Sequence, residues 1–316
     1  MNEKNKEKFY NDVIRIMPLR IREVISQYLY RETDLIQEIV FRSLRPVCIY
    51  KKGRMYYLTE NGCLTESADM QKLLVCTERD ITDTFNSACC FSVYSHINEI
   101  KEGFLTINGG HRVGICGTAV VSDGQIINLR DVSTVSVRVA REVRGSGEDI
   151  TQKLINSSRG LLICGSPCSG KTTVLRDIAR LLSAKYAYRV TLVDSRGELA
   201  AVNKGINQMD IGLCDVLNGY PRAQGIEQAV RVMSPDYVIC DEIGSEADVC
   251  AITAGVNSGA VFIATMHAGS KEELLQRINS KVLLNSGAFG KIMFLSGKDT
   301  PGQVKRIYDC EELRSV

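Results

Sequence analysis

The sequence predicts an α/β chain in which a core of alternating strands and helices follows a smaller α+β domain. Three observations predict it. From about residue 150 onward, short apolar and β-branched runs alternate with helical stretches. A glycine-rich segment, residues 165–172, joins the first of those runs to the first of those helices. Ahead of it the texture differs, with hairpin signals and a few helices in mixed order. The boundary is placed so that 1–144 form the α+β domain and 145–316 the α/β domain.

Composition narrows the function classes. The 316 residues carry 39 basic and 37 acidic side chains, a net charge of +2. Such a balance argues against a surface built throughout to coat nucleic acid or anionic lipid. The longest weakly polar run, Ala251 to Ala264, is 14 residues long. A spanning helix needs about 20. The start, MNEKNKEKFYND, is charged and lacks an apolar stretch fit for a secretory signal. A cytoplasmic protein is expected, with membrane contact only through partners. The twelve cysteines include no CxxC pair, and Cys164 and Cys240 lie in apolar runs, so free thiols are expected. Three histidines without zinc-ligand spacing give no reason to expect a structural metal.

In the first domain, Ile21, Val24, Ile25, Tyr28 and Leu29 follow Pro18 at the spacing of one helical face. Strands are expected at 47–50 and 54–59, turned by Lys52-Gly53 and closed by Asn61-Gly62. Helices follow at about 78–87 and 92–101. GFLTI, HRVGICGTAVV and QIINL, parted by Asn108-Gly109-Gly110 and Ser122-Asp123-Gly124, read as a meander of hairpins. Arg130, Arg138, Arg141 and Arg144 crowd the end of the domain. They are either a solvated charged strand end or linker, or guanidiniums aimed at phosphate, which a planar fork suits. Gly145-Ser146-Gly147 is the expected linker.

In the second domain, GLLICG, VTLVD, YVICDE and AVFIAT are strands of the kind buried in a parallel sheet. Residues 165–172 fit GxxxxGK[ST] in full, with strand LLIC before and helix KTTVLRDIARLL after. Gly165, Ser166, Pro167, Cys168, Ser169, Gly170, Lys171, Thr172 and Thr173 are therefore expected to hold a nucleotide. Glycines let the backbone wrap a phosphate chain with its N–H groups inward, and the helix N-terminus adds partial positive charge. Lys171 would reach the β- and γ-phosphates, and the Thr172 hydroxyl would coordinate Mg²⁺. In the helix that follows, Val174, Ile178, Leu181 and Leu182 form the buried face. Arg176, Asp177 and Arg180 read as solvent-facing or structural pairs.

Acidic groups close the other strands. YVIC runs into Asp241-Glu242, with Asp241 assigned to the metal shell and Glu242 to activation of water. A plain surface Asp-Glu pair is the alternative. VTLV runs into Asp194-Ser195-Arg196-Gly197-Glu198, at the carboxyl edge where open α/β sheets bind ligands. VFIA leads to His267, a candidate sensor of the γ-phosphate, although lone histidines are more often structural.

The order of these elements resembles the type II/IV secretion ATPase superfamily. GSPCSGKTT, VDSRGEL, SPDYVICDEIG and ATMHAGS stand where that superfamily has its Walker A loop, Asp box, Walker B strand and His box. The closer resemblance, from about residue 36 to the end, is to the stage III sporulation protein AA family. GFLTINGGHRVGICGTAVV, INLRDVSTVSVRVAREV and GKTTVLRDIARLLS carry it. It implies a RecA-like P-loop NTPase core and an ATPase, with ATP and Mg²⁺ as ligands. It further implies a homo-hexamer in the mother cell, working with membrane proteins of a channel between mother cell and forespore. Glu242 is its firmest catalytic carry-over, and the Asp-box role falls on Glu198, with Asp194 as a weaker companion. Where that superfamily has Gly before the catalytic Glu, this chain has Asp241. The arginines that its members present across a subunit boundary map to the 130–144 group.

The leading reading is a ring-forming ATPase motor. A nucleotide-gated, weakly hydrolysing scaffold is the main alternative. A P-loop kinase is disfavoured because residues 270–316 do not resemble an arginine-rich lid. A nucleic-acid motor is disfavoured by the neutral charge and the lack of an aromatic-plus-basic stripe. No nucleic acid is expected as a partner. Arg222 and Arg231 are in-domain alternatives to an arginine supplied by a neighbour.

Overall fold

The computed structural model describes residues 9–28, 36–69, 72–155, 157 and 159–314, and the chain divides into two compact units, 1–141 and 142–316. The first unit is carried by a seven-stranded antiparallel sheet. Its strands are β1 (Ile36–Arg42), β2 (Cys48–Lys51), β3 (Arg54–Leu58), β4 (Leu64–Thr65), β5 (Phe104–Thr106), β6 (Arg112–Ser122) and β7 (Gln125–Arg138). They lie in the order β4-β3-β2-β1-β7-β6-β5. Ile39, Phe41, Ile49, Val113, Val135 and Val137 are buried, part of one apolar core. A side chain of that size contributes about 1.5–3 kcal/mol when removed from water.

Helix α1 (Leu19–Tyr28) starts just behind Pro18, whose carbonyl accepts the Ile21 and Arg22 amides. Proline suits that place because it fixes φ and has no amide to lose. Ile21 and Ile25 face the core, while Leu29 lies outside the described residues. Helix α2 (Glu78–Ala88) is closed by a capping box, Thr77 accepting from the Asp80 amide and Asp80 from the Thr77 amide. The helix expected at 92–101 is instead a 3₁₀ turn, Val93–His96, followed by α3 (Ile97–Lys101). Cys90 and Phe91, at φ +50 and +58, end α2 in left-handed conformations and turn the chain before it can re-form a helix. Strand β7 extends to Arg138, so Arg130 and Arg138 are strand residues rather than linker.

The second unit holds α4 (Glu148–Leu154), β8 (Gly160–Gly165), α5 (Lys171–Arg180), β9 (Val190–Asp194), β10 (Asp215–Asn218), α6 (Arg222–Gln228), β11 (Tyr237–Cys240), α7 (Glu246–Val256) and β12 (Val261–His267). After these come α8 (Lys271–Gln276), α9 (Ile278–Asn285), β13 (Phe289–Leu295), β14 (Val304–Asp309) and α10 (Cys310–Arg314). The sheet order is β10-β9-β11-β12-β8-β13-β14, parallel throughout except for β14. Strands β8, β9 and β11 are buried along their whole length, as parallel strands covered on both faces must be. All twelve cysteines are free, and Cys164 and Cys240 pack in this core with thiol pKa values pushed to about 12 by burial.

Gly147 is not part of a loose tether. Its amide donates to Asp177 at 2.8 Å, and a Cβ there would stand 2.9 Å from Ile178. Asp177, which is buried, also accepts from the half-buried Arg180, so for these two α5 residues the alternative resolves to a structural pair. The helical stretch over 271–285 breaks at Arg277, whose extended backbone separates α8 from α9.

Candidate functional site

The phosphate loop and three strand ends meet at the carboxyl edge of the second sheet. Strand β8 delivers the loop, and Gly170, at φ +89, turns it into α5. The first amides of a helix lack partners within it, so the start of α5 presents donors and partial positive charge. Lys171 folds across the loop, donating to the carbonyls of Gly165 at 2.9 Å and Ser166 at 3.0 Å. It also meets His267 Nδ1 at 3.2 Å. Burial pulls the Lys171 pKa down, against the charges of Asp241 and Glu242.

His267 ends β12 with both ring nitrogens engaged. Its Nε2 lies 2.7 Å from Glu242 Oε1. An acceptor at Nδ1 for the ammonium and a donor at Nε2 for the carboxylate assign the Nε2–H tautomer. Glu242 gives its other oxygen to Arg196. Burial pushes the Glu242 carboxyl up, but the hydrogen bond from His267 and the charge of Arg196 outweigh it and hold the pKa below the usual range.

Asp241 takes the Thr172 hydroxyl at 2.9 Å and, on its other oxygen, the hydroxyl of Thr265. Thr265 is fully buried and also accepts the Glu242 amide at 2.8 Å, so one hydroxyl fixes both acidic residues. Asp194, 1% exposed, accepts the amides of Glu198, Leu199 and Ala200 at 2.9, 3.0 and 2.8 Å. Arg176 reaches over from α5 to the carbonyls of Leu199 and Glu198. Asp194 therefore holds the shape of the loop that carries Arg196 and Glu198. Burial raises its pKa despite the three amides. Asp194, Arg196, Glu198, Arg222, Asp241 and Glu242 line one small cavity that opens to solvent.

Arg196 and Thr265 stand inside VDSRGEL and ATMHAGS, yet nothing local in the sequence marks either for a role. Arg222 enters the cavity paired with Asp248 at 3.1 Å, whereas Arg231 is exposed. The arginine group is dispersed. Arg130 pairs with its neighbour Asp131, Arg141 donates to the Ile36 carbonyl, and Arg144 pairs with Asp210.

These residues suit a nucleotide and a magnesium ion. Ser169 Oγ is buried in the loop without a hydrogen-bond partner, and a Cβ on Gly165 would stand 2.4 Å from it. Among the described residues no group of three or more His, Cys, Asp or Glu could hold a metal. The one hydroxyl and one carboxylate at Thr172 and Asp241 match an ion that takes its remaining oxygens from phosphate and water.

A family model described as "Sporulation stage III, protein AA" matches residues 5–314. Stage III sporulation protein AA of Bacillus subtilis (strain 168) is 33% identical over 305 residues, 95% of each chain. The uncharacterized protein ycf45 of Porphyra purpurea is 30% identical over 272 residues, 84% of this chain and 41% of its own. Among solved structures, the Legionella pneumophila ATPase DotB matches with a TM-score of 0.57 and 16% identity, over 95% of this chain and 84% of that one. The pilus retraction motor PilT, solved with ADP, matches with a TM-score of 0.56 and 16% identity, over 88% and 78%. At such identity the likeness is one of fold, and the expected fold class, with its RecA-like P-loop core, holds.

Proposed function

The chain belongs to the sporulation stage III protein AA family, and we propose that it hydrolyses ATP as the motor of a membrane-associated sporulation complex. The observation that carries this reading is the unbroken chain of contacts from the phosphate loop to the acidic strand end. Lys171 touches His267, His267 touches Glu242, and Thr172 touches Asp241 beside it.

In this reading Thr172 and Asp241 hold Mg²⁺, which when bound offsets the phosphate charge. The loop from Gly165 to Thr173 binds the phosphates through its amides, and Lys171 neutralises the β- and γ-phosphates. Glu242 orients and deprotonates the attacking water, its carboxylate kept ionised by its neighbours. His267, bridging Lys171 and Glu242, signals the presence of the γ-phosphate to the base. Glu198 contributes from the loop that Asp194 braces. A homo-hexamer in the mother cell is the proposed assembly, meeting the membrane through partner proteins and binding no nucleic acid. Among the described residues no helix is long and apolar enough to cross a membrane. An arginine of the 130–144 group serves a neighbouring subunit.

One observation favours a second reading, a nucleotide-gated scaffold that turns over slowly. Arg196 occupies the Glu242 oxygen that His267 leaves open, so the base is fully paired. Steady-state hydrolysis by wild type, Lys171→Ala and Glu242→Gln, with mass photometry on the same samples, tests both. The motor reading expects slow hydrolysis, lost in both variants, with Glu242→Gln still binding ATP and favouring the larger assembly. Binding without hydrolysis or assembly, even with the cytosolic segment of the membrane partner present, would sink it and leave the scaffold.

A further inference from the structure

The turn between β13 and β14, residues 296–303, touches the phosphate loop from the side opposite the acidic residues. The Gly302 amide donates to the Ser169 carbonyl at 2.8 Å. A Cβ on Gly170 would stand 2.6 Å from Gly302 N and 3.2 Å from Gly302 Cα. The approach leaves no room for a side chain on Gly170, and both glycines have positive φ, +89 and +82, a conformation that side-chain-bearing residues adopt only with strain.

The sheet order gives this contact a direction. Asp241 and Glu242 follow β11, and His267 ends β12, both on one side of β8. The γ-end of a phosphate chain belongs there, beside Lys171 and its His267 contact. The α-phosphate and nucleoside then lead to the other side of β8, where β13 and β14 lie. The turn is the segment of the second unit that touches the phosphate loop there. It is held by its own backbone, with Ser296 N donating to Gln303 O, Thr300 N to Gly297 O and Gln303 N to Thr300 O. Lys298, Asp299 and Thr300 are exposed, leaving their polar groups available to ribose hydroxyls and a base edge.

We infer that this turn, clamped to the phosphate loop through Gly302, is the wall against which the nucleoside of bound nucleotide rests. The inference rests on the nucleotide-binding reading of the site, and equilibrium dialysis separates the two without requiring turnover. The probes are Mg-ATP and inorganic tripolyphosphate, which has the phosphates without a nucleoside. The triple variant Lys298→Ala, Asp299→Ala and Thr300→Ala changes only exposed side chains and keeps every backbone bond of the turn. It should weaken ATP about tenfold, a 1.4 kcal/mol change, and leave tripolyphosphate within about twofold. Gly302→Val, which breaks the clamp, should weaken both ligands. The proposal is overturned if the triple variant weakens both ligands alike or neither. It is equally overturned if Gly302→Val leaves tripolyphosphate binding intact. Wild type that binds neither ligand would overturn the site reading itself, a different result from either of these.

Discussion

Asp194→Asn separates bracing from chemistry in the loop after β9. Asp194 is almost wholly buried, and its two oxygens accept three amides, one on Oδ1 and two on Oδ2. Asparagine has one acceptor oxygen. Placed where Oδ2 stands, that oxygen keeps the Leu199 and Ala200 amides, and the new NH₂ group then faces the Glu198 amide, donor against donor. One bond to a charged group is lost, worth about 1.5–3 kcal/mol, and a buried amide left without an acceptor costs about 1–3 kcal/mol more. The two surviving bonds weaken as they lose charge assistance. Relief of the burial that raises the carboxyl pKa returns part of this. A net loss of about 2–4 kcal/mol is expected.

The measurement is urea unfolding followed by far-UV circular dichroism, since the chain has no tryptophan. With a slope of about 2 kcal/mol per molar, the midpoint should fall by about 1–2 M. The pH dependence has a definite sign. A carboxyl whose pKa is raised on folding gives its stability below the unfolded value, about 3.9, and loses it as pH climbs to the native value. The gap between wild type and variant should therefore be widest in acid and narrow upward through that window. Hydrolysis should fall as well, because Arg196 and Glu198 ride on the loop. A midpoint shift below about 0.3 M together with unchanged turnover would refute the bracing argument.

Two further outcomes follow from the site. Glu242 must be ionised to act as a base, and its neighbours hold its pKa below the ordinary glutamate range. Turnover should thus persist as pH falls through about 4.3 and fail only below it, within the range where the fold survives. Arg196→Ala should move that limb upward and, if Arg196 gates the base, raise turnover at neutral pH; a kcat–pH profile that does not move would count against the pairing. Cys168, exposed in the phosphate loop at φ +62, should be alkylated by N-ethylmaleimide with loss of ATP binding, and Mg-ATP should protect. Cys168→Gly, which the positive φ accommodates, should bind ATP and resist the reagent. Equal inactivation of that variant would place the damage at another thiol.

The phosphate loop was legible because its chemistry is contiguous. Nine consecutive residues, bounded by a strand and a helix, supply both the pattern and the context that confirms it. The strand ends at Asp194, Asp241 and His267 were legible for a related reason, since buried parallel strands announce themselves as apolar runs. Arg196 and Thr265 were not. Each works through a partner 46 or 24 positions away, on a different strand, and nothing local marks a threonine as the hinge of two carboxylates. Strands β1 and β10 were hidden for a compositional reason. IQEIVFR and DVLN carry charged residues that dilute the alternation, and only pairing with β2, β7 and β9 makes them strands. The arginine group is a different case, because closeness in sequence gave no closeness of partners along the chain: Arg130, Arg141 and Arg144 meet Asp131, the Ile36 carbonyl and Asp210.

The geometry of Asp241 and Glu242 shows how two adjacent acidic residues come to serve one site. Successive residues of an extended strand project to opposite faces, so two adjacent carboxylates leaving β11 would not serve one site. The backbone resolves this at Glu242, whose φ is +52. A left-handed conformation costs a non-glycine residue about 1–2 kcal/mol. It leaves Asp241 on Thr172 and Thr265 and Glu242 on His267 and Arg196. The amide of the strained residue is held at 2.8 Å by Thr265, and the next amide, Ile243, donates to the Thr265 carbonyl at 2.9 Å. Two hydrogen bonds of about 1 kcal/mol each are enough to offset that strain. The left-handed turn at Glu242 is therefore held from β12, by the same strand that carries His267.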